Sequence, residues 1–443
     1  MTRLPLIDND RPLRAVAWRN ARAVSQRQFL LDVQALAARL PPGSHALNLC
    51  EDRYRFMVAF AAVCLRGQTN LLPPSQAPAI IGEIAGAYPG CYAVGDTASP
   101  DASLPWVALN DDDSGAGADP GAQPVPRLGA NHVAALAFTS GSTGAPQAHA
   151  KTWRTLVQTA RLAAQRFSGG GRFNIVATVP PQHMYGLETT VMMALAGGCA
   201  VHAGHAFFPL DLRTALEQVP APRVLITTPV HLRACLASPS RFPSVKLIIC
   251  ATAPLAVDLA AAAESALGAP VHEIYGCTEA GSMASRHTVS TAIWQFYPGM
   301  SLTRRDGADF VHGHHLTAPV ALPDVIDDLG QGRFHLCGRS ADMLKVAGKR
   351  ASISELTTRL LRIPGVHDAV VFVPEPPAGA EARPAALVVA PDLSEPQILT
   401  ALELTVDPVF LPRPLIRLTH LPRNAVGKLP RAALLALLEH CRA

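Results

Sequence analysis

The stretch that decides the fold is Phe138–Gln147, which reads F-T-S-G-S-T-G-A-P-Q. The apolar run Val133–Phe138 predicts a strand, and it leads directly into a series of small residues. Glycines there let the backbone turn its amides toward one point, and the hydroxyls add further donors, which suits phosphate oxygens. The candidate phosphate ligands are Thr139, Ser140, Gly141, Ser142, Thr143 and Gly144. A flexible loop is the alternative, and the missing G-K-[ST] makes a P-loop kinase the weaker interpretation.

Helix and strand patterns alternate on both sides of this loop, which predicts an α/β fold of helix-covered, mostly parallel sheets. The predicted helices are Ser25–Leu40, Tyr54–Leu65, Thr152–Phe167, Leu187–Leu195 and a last one from Arg431. The predicted strands are His45–Leu49, Asn70–Leu72, Val133–Phe138, Asn174–Val179, Leu225–Thr228, Val245–Cys250, Val271–Tyr275, Ala369–Val373 and Ala386–Val389. Residues 110–127 contain three consecutive aspartates with glycine, alanine and proline, which predicts an exposed connector.

Composition excludes several classes of protein. Of the 443 residues, 16% are charged and 49% apolar, against about 25% charged in typical soluble domains. Such a chain can bury a large core, so a disordered protein is excluded. The net charge of +4 and the 5% of aromatic residues argue against a nucleic-acid partner.

The same data predict a cytoplasmic protein without a membrane span. The nine cysteines are scattered singly and form no C-x-x-C pair, as expected in a reducing compartment. Charged residues such as Arg3 and Asp8 leave no room for a signal peptide near the start. The longest clean apolar run, Phe56–Leu65, is about half of what crosses a bilayer.

Three further motifs follow the loop in a fixed order. They are Y-G-C-T-E at Tyr275–Glu279, G-R-S-A-D-M-L-K-V-A-G-K-R at Gly338–Arg350, and L-P-R-N-A-V-G-K-L-P-R at Leu421–Arg431. With Phe138–Gln147 they resemble the adenylate-forming superfamily of acyl- and aryl-CoA ligases, luciferases and adenylation domains of peptide synthetases. The resemblance runs from about Ser25 to Leu435. It implies a large N-terminal domain, residues 1–340, and a small mobile C-terminal domain, residues 341–443.

The resemblance also implies a two-step reaction that uses ATP and Mg²⁺. A carboxylate attacks the α-phosphate of ATP to give an acyl-adenylate and pyrophosphate, and a thiol then displaces AMP. By resemblance, residues 139–144 hold the β- and γ-phosphates, Thr278 donates to the α-phosphate, and Glu279 binds Mg²⁺. Tyr275 would stack against adenine. Taken without the resemblance, Glu279 is an ordinary surface carboxylate.

Further roles follow from the resemblance. Asp324 lies fourteen residues before Gly338, at the position that bonds the ribose hydroxyls, with Asp327 as the alternative. Arg339 would reach the ribose or a phosphate. Lys428 would bridge the attacking carboxylate and the α-phosphate as the catalytic lysine, unless it is an ordinary surface lysine. The remaining implied nucleotide contacts are Ala251, Thr252, Ala253 and Gly276.

The segment P-Q-H-M-Y-G, Pro181–Gly186, carries the implied acid pocket. His183 matches a catalytic position at the pocket mouth, although a core or turn histidine is the alternative, and Tyr185, Gly186 and Gly276 would line the pocket. The Tyr185 hydroxyl is a candidate partner for a phenolic hydroxyl. No aspartate stands between residues 172 and 209, which argues against an α-amino acid substrate. The cluster His312, His314 and His315 lacks partners for a metal and is interpreted as part of an exposed hairpin.

Three residues in two of the motifs depart from the family pattern. Gln147 and Ala148 stand where the family usually has Lys-Gly, so we hypothesise that Lys151 supplies the missing charge to a phosphate through a loop shift. Ala341 replaces the usual Asp or Lys at the hinge, which leaves the balance of conformers open.

The thiol acceptor is predicted less directly. The interval 408–438 contains five basic residues and no acidic one, Arg413, Arg417, Arg423, Lys428 and Arg431, which suits either an acidic carrier protein or the phosphates of CoA. The phrase S-G-S-T-G-A-P-Q-A-H-A-K-T-W, Ser140–Trp153, resembles stand-alone ligases of aryl-polyene and xanthomonadin-type pigment clusters. That resemblance implies transfer of a hydroxylated aromatic acid to an acyl carrier protein. The alternatives are an aryl- or acyl-CoA ligase and a nucleotide-binding pseudo-enzyme that binds partners.

Overall fold

The computed structural model describes residues 2–8, 11–97, 99, 103–110, 124–140, 146–169, 171–305, 308–339, 343–346, 349–374, 383–423 and 429–440. The strands of this part of the chain are β1 (Arg3–Pro5), β2 (Ala15–Arg19), β3 (Arg22–Ser25), β4 (His45–Asn48), β5 (Thr69–Leu72), β6 (Tyr92–Gly95), β7 (Trp106–Ala108), β8 (Arg127–Gly129), β9 (Val133–Ser140), β10 (Pro146–Thr152), β11 (Asn174–Ala177), β12 (Ala200–His202), β13 (Arg223–Thr227) and β14 (Leu247–Cys250). They continue with β15 (Val271–Cys277), β16 (Gly281–His287), β17 (Trp294–Phe296), β18 (Met300–Arg305), β19 (Ala308–Gly313), β20 (Val320–Ala321), β21 (Asp324–Gly330), β22 (Arg333–Arg339), β23 (Met343–Val346), β24 (Lys349–Ser352), β25 (Asp368–Phe372), β26 (Ala385–Val389) and β27 (Leu415–Arg417).

The α-helices described are α1 (Gln26–Arg39), α2 (Arg53–Leu65), α3 (Pro78–Ala87), α4 (Trp153–Ser168), α5 (Met184–Gly186), α6 (Met193–Leu195), α7 (Pro209–Glu217), α8 (Pro229–Ala237), α9 (Val257–Leu267), α10 (Ile353–Leu361), α11 (Glu395–Glu403) and α12 (Arg431–His440). A π-helical segment, Leu187–Met192, joins α5 to α6, and a 3₁₀ turn covers Pro408–Phe410. None of the helices in the described ranges is long and apolar enough to cross a membrane.

Two large sheets form the body of the molecule. The six-stranded sheet has the order β10-β9-β5-β4-β6-β7, and only its β9–β10 pair is antiparallel. The eleven-stranded sheet has the order β21-β22-β17-β16-β15-β14-β13-β11-β12-β2-β3, with parallel pairing from β15 through β2. Parallel strands covered by helices confirm the predicted α/β class.

Helix α2 joins the two sheets. It begins at Arg53 because the Asp52 side chain accepts a hydrogen bond from the backbone N–H of Arg55, and it is buried along nearly its whole length. The buried Arg53 guanidinium donates to the carbonyls of Ala177 and Val179, at and just beyond the end of β11. It also donates to those of His202 and Gly204, at and just beyond the end of β12. A buried charge is tolerated here because four carbonyl dipoles replace its water.

Helix α4 covers the same body from outside. Its first turn is capped by Thr152, whose hydroxyl accepts from the N–H of Thr155, and its apolar face packs into the main core. The predicted helix over Thr152–Phe167 therefore agrees with α4 to within one residue at each end. The predicted helix Leu187–Leu195 is wrong in its start and type, since α5 begins at Met184 and the middle is π-helical. Two threonine hydroxyls there, on Thr189 and Thr190, donate to carbonyls four residues earlier.

The last part of the chain packs around its own apolar clusters. The sheet β25-β26-β27 carries one core cluster with α10 and α11 and another with α12. The predicted boundary between residues 340 and 341 involves residues outside the described ranges, and the mobility of this unit stays a prediction.

Two smaller expectations are tested by burial. The cysteines at 50, 64, 91, 199, 235 and 250 are free and buried, as predicted, whereas Cys337 is exposed. The histidine cluster flanks the β18–β19 hairpin, with His312 bonded to Thr303 across the strands. The expectation of exposure is wrong for His315, which is buried with a pKa lowered to about 4 because the surroundings desolvate the imidazolium. No group of three metal-ligating side chains occurs in the described ranges.

Candidate active site

The predicted nucleotide residues gather at the carboxyl ends of parallel strands. Strand β9 ends at Ser140, β14 leads into Ala251–Ala253, and β15 ends in the Tyr275–Cys277 part of its motif. Carboxyl ends of parallel strands are where open α/β sheets bind ligands. Contacts from β10 to the turn between β15 and β16, described below, bring the two sheets together at this edge.

The phosphate-loop motif begins on β9. Its Thr139 hydroxyl lies 3.1 Å from Nε2 of His149, which stands on the antiparallel neighbour β10. Gln147 is exposed on the same strand. The backbone of Ser140 is described but its side chain is not, and Gly141, Ser142, Thr143 and Gly144 lie outside the described residues, so their phosphate roles stay predictions.

The turn between β15 and β16 carries the next three candidates. Thr278 is partly buried, and the Glu279 side chain is 47% exposed, with Oε1 3.8 Å from Nε2 of His149. Gly276 is required by close packing, because a Cβ there would lie 2.5 Å from the carbonyl oxygen of Gly281. A half-exposed carboxylate fits Mg²⁺, which is usually held by one or two carboxylates together with substrate phosphates.

Tyr275 and Asp324 meet directly. The Tyr275 hydroxyl donates to Oδ2 of Asp324 at 2.7 Å, while its ring packs against Trp294 and Phe334. Asp324 also pairs in register with Arg339 across β21 and β22, although the Arg339 side chain is not described. The alternative, Asp327, pairs with His335 and is exposed, and the choice of ribose ligand between the two aspartates stays a prediction.

The loop after β14 is strained. Thr252 has φ of +82°, a value that a β-branched residue rarely adopts and that clusters at functional sites. The loop is held at its far end by buried Glu273, whose Oε1 accepts from the N–H of Leu255. The same carboxylate forms an ion pair with Arg286 at 2.6 Å. Ala251, Thr252 and Ala253 are all partly buried at the site edge.

The implied acid pocket is formed around α5. His183 occupies the N-cap position and is partly buried. Tyr185 has its hydroxyl within hydrogen-bond distance of two backbone carbonyls, those of Thr227 and Ile249, so its single proton is already engaged. Burial raises the pKa of this phenol well above its usual value. The predicted hydrogen bond between Tyr185 and a phenolic hydroxyl stays a prediction, and in this arrangement the Tyr185 oxygen would accept it. Gly186 leaves no room for a Cβ, which would lie 1.9 Å from the Pro180 carbonyl oxygen.

Lys151 is held at the turn between β15 and β16. Its side chain is 2% exposed, and Nζ donates to the backbone carbonyl of Glu279 at 2.7 Å. The hypothesis that Lys151 contacts a phosphate in place of Gln147 after a loop shift stays a prediction, because residues 141–145 lie outside the described residues. Lys428 and Ala341 lie outside the described residues, so the catalytic and hinge roles stay predictions.

The sequence did not predict the part that three side chains play here. They are His149, which lies near Thr139 and Glu279, and the buried Lys151 and Glu188. Glu188 lies on the π-helical segment, is 3% exposed, and accepts from the N–H of Ser282 at 2.9 Å. The signal for His149 was available, because it alternates with exposed residues on the strand after the loop. The signal for Glu188 was a lone acidic residue inside an otherwise apolar stretch.

Comparison with known proteins identifies the family of this chain. Residues 10–305 match the family model described as "AMP-binding enzyme". A 4-coumarate–CoA ligase of Halorhodospira halophila is 30% identical over 67% of this chain and 75% of that protein. The structure of o-succinylbenzoate CoA synthetase from Bacillus subtilis with its acyl-adenylate intermediate superposes with a TM-score of 0.82 at 18% identity, covering 98% of both chains. An anthranilate CoA ligase with anthranoyl-AMP gives 0.79 at 18% identity, covering 99% of both.

The chain therefore belongs to the AMP-binding enzyme family. Within it, the protein is an adenylate-forming acid–thiol ligase.

Proposed function

We propose that the protein activates an aromatic carboxylic acid with ATP and passes the acyl group to a thiol. One observation supports the proposal: the predicted nucleotide residues are linked by direct contacts. Tyr275 is hydrogen-bonded to Asp324, and Glu279 lies beside His149. His149 in turn contacts Thr139, on the strand where the phosphate-loop motif begins. These groups suit the ribose, the charged phosphates and the reacting centre of one nucleotide.

The first step forms one bond and breaks one. A carboxylate oxygen of the acid attacks the α-phosphorus of ATP, and the bond to the bridging oxygen breaks, so pyrophosphate leaves with its electron pair. Asp324 would orient the ribose, and Thr139 and the following loop would hold the β- and γ-phosphates. Mg²⁺ at Glu279 would neutralise charge on the phosphates, and Lys428 would offset charge on the attacking and α-phosphate oxygens.

The second step transfers the acyl group. The thiol sulfur attacks the carbonyl carbon of the adenylate, AMP leaves, and the thiol proton passes to solvent. Cys277 at the site edge is not suited to replace the external thiol, because burial and nearby Glu279 raise its pKa to about 12. We therefore infer that an external thiol, rather than Cys277, accepts the acyl group.

An aromatic acid is favoured by several features. The 4-coumarate–CoA ligase and the anthranilate and o-succinylbenzoate enzymes are named for acids of this kind. The residues from 172 to 209 contain no aspartate for a substrate ammonium group. The one acidic side chain there, Glu188, is buried and opposed by Lys151. A hydroxylated benzoate of an aryl-polyene or xanthomonadin-type pigment pathway is the specific substrate proposed.

For the acceptor, we propose the phosphopantetheine thiol of an acyl carrier protein. Three arginines of the basic sequence stretch that contains the predicted lysine, Arg413, Arg417 and Arg431, are exposed. Arg423 contributes less, since it forms a two-bond ion pair with Asp368. Free CoA is the second candidate, and the names of the CoA-ligase relatives favour it.

The test is pyrophosphate release with benzoic, hydroxybenzoic, cinnamic and fatty acids, each with ATP and Mg²⁺. Release with the aromatic acids supports the proposal, and release with fatty acids alone contradicts the substrate class. No release with any acid favours the pseudo-enzyme. Repeating the active reaction with CoA and with a phosphopantetheinylated carrier protein identifies the acceptor by the mass of the thioester.

A further inference from the structure

Lys151 is a buried cation with a backbone partner. It lies on β10, and its ammonium donates to the Glu279 carbonyl while only 2% of the residue is exposed. Burial lowers the pKa of Lys151, and the negative charge of Glu188 is the largest influence that raises it. A lysine is rarely this buried unless it is paired, so its location needs an explanation.

Glu188 is the matching buried anion. Its Oε2 accepts from the N–H of Ser282, and its Oε1 touches no solvent. Burial raises the pKa of Glu188, whereas Ser282 and Lys151 lower it. Two opposite charges are thus removed from water next to the same turn, where each supports the charged form of the other.

These two residues hold the turn at both ends. Lys151 binds the carbonyl of Glu279, and Glu188 binds the amide three residues later, at Ser282. Gly281 between them has φ of +80°, and a Cβ there would lie 2.3 Å from Oε1 of Glu188, so the turn is packed directly on this carboxylate. The backbone is fixed, while the Glu279 carboxylate stays 47% exposed.

We propose that Lys151 and Glu188 are positioning residues, which hold the turn Gly276–Ser282 so that the Glu279 carboxylate is presented to the Mg²⁺ of bound ATP. This rests on the proposed function, and it assigns Lys151 an indirect role. On this proposal Lys151 does not replace the phosphate-binding lysine that is missing at Gln147. It stabilises the backbone of the proposed metal ligand, Glu279.

The test is calorimetric binding of ATP with and without Mg²⁺, which needs no turnover. The wild-type protein is expected to bind ATP at least tenfold more tightly with Mg²⁺. Lys151→Met keeps the length of the side chain without its charge, and it is expected to lose that gain while its affinity for Mg²⁺-free ATP stays within twofold. The control is Lys246→Met, which removes an exposed lysine and is expected to retain the full gain.

The outcomes separate the two levels of inference. If Lys151→Met retains the Mg²⁺-dependent gain, the positioning role is wrong while the proposed function stands. If Lys151→Met lowers the affinity for Mg²⁺-free ATP as much as the affinity for ATP with Mg²⁺, the ammonium acts on a phosphate. The inference is then also wrong. If wild-type protein binds no ATP, the proposed function fails and the inference fails with it.

A second variant guards against misfolding. Lys151→Met leaves a buried carboxylate without its cation, so Lys151→Met combined with Glu188→Gln removes both charges. The double variant is expected to melt closer to the wild-type temperature than the single variant, and still to lack the Mg²⁺-dependent gain. Recovery of that gain in the double variant would overturn the assignment.

Discussion

The contact between Tyr275 and Asp324 can be tested by removing one atom. In Tyr275→Phe the ring keeps its packing, with centroids 5.8 Å from Trp294 and 5.9 Å from Phe334. Only the hydroxyl, which donates to Asp324 Oδ2 at 2.7 Å, is lost. Without this hydrogen bond the Asp324 carboxylate is held less firmly at the proposed ribose position.

The size of the effect follows from the type of bond. A hydrogen bond to a charged group contributes about 1.5–3 kcal/mol, and the lower end applies because Asp324 is only partly buried and water can replace part of the bond. A loss of about 1.4 kcal/mol corresponds to roughly a tenfold weaker equilibrium. We therefore expect the dissociation constant of AMP to rise about tenfold in Tyr275→Phe.

The assay is isothermal calorimetry with AMP, and Tyr92→Phe is the matched control. The Tyr92 hydroxyl donates to Gln68 at 2.6 Å, but Tyr92 begins β6 and so lies at the end of its sheet opposite the site. The control is expected to lose stability and keep its AMP affinity. The reasoning is refuted if Tyr275→Phe binds AMP within twofold of wild type, or if both variants weaken equally.

Three further predictions concern stability and turnover. Thr252→Gly is expected to raise the free energy of unfolding by about 1 kcal/mol in melting experiments, because relief of strain outweighs the added chain entropy; Thr252→Ala, which keeps a Cβ at φ of +82°, is expected to gain less. Gly276→Ala is expected to slow pyrophosphate release at least tenfold with little change in circular dichroism, since its Cβ would lie 2.5 Å from a backbone oxygen, whereas Gly82→Ala on α3 has free space and leaves the rate unchanged. Burial lowers the pKa of His231 to about 4, so the contribution of its neutral form to the free energy of unfolding is complete above about pH 6.5. That contribution is lost as the pH falls toward 4, at up to about 1.4 kcal/mol per pH unit. Urea midpoints between pH 7.5 and 5 are expected to fall less in His231→Asn, and parallel profiles would contradict this.

The fold was largely predictable because its signals are local. Apolar runs and their breaks located α1, α2, α4 and seven of the seventeen strands of the two large sheets, all of them with a parallel partner. Four ordered motifs indicated the family. The π-helical segment was not predictable, because π and α geometry have the same apolar pattern and differ only in which carbonyl each N–H reaches.

The candidate residues of the site could be predicted from the sequence, but the long-range contacts of its buried charged side chains could not. The sequence identified Tyr275, Glu279 and Asp324 as candidates, and the structure places Tyr275 against Asp324. It could not show that Lys151 points inward, because burial of a lysine depends on an anion that is 37 residues further along the chain, at Glu188. Charged residues that interact over long sequence distances leave no recognisable local sequence pattern. The hydrogen bonds from Tyr185 to two distant backbone carbonyls could not be predicted for the same reason.

The buried Arg53 has a consequence for the choice of acid. Its guanidinium and its backbone N–H together hold the chain beyond β11 and β12 through five hydrogen bonds. Because those bonds join α2 to the eleven-stranded sheet, we expect the spacing between this helix and this sheet to stay the same whichever acid is bound. Discrimination between acids of different bulk would then depend on side chains that mutation can exchange rather than on movement of this helix.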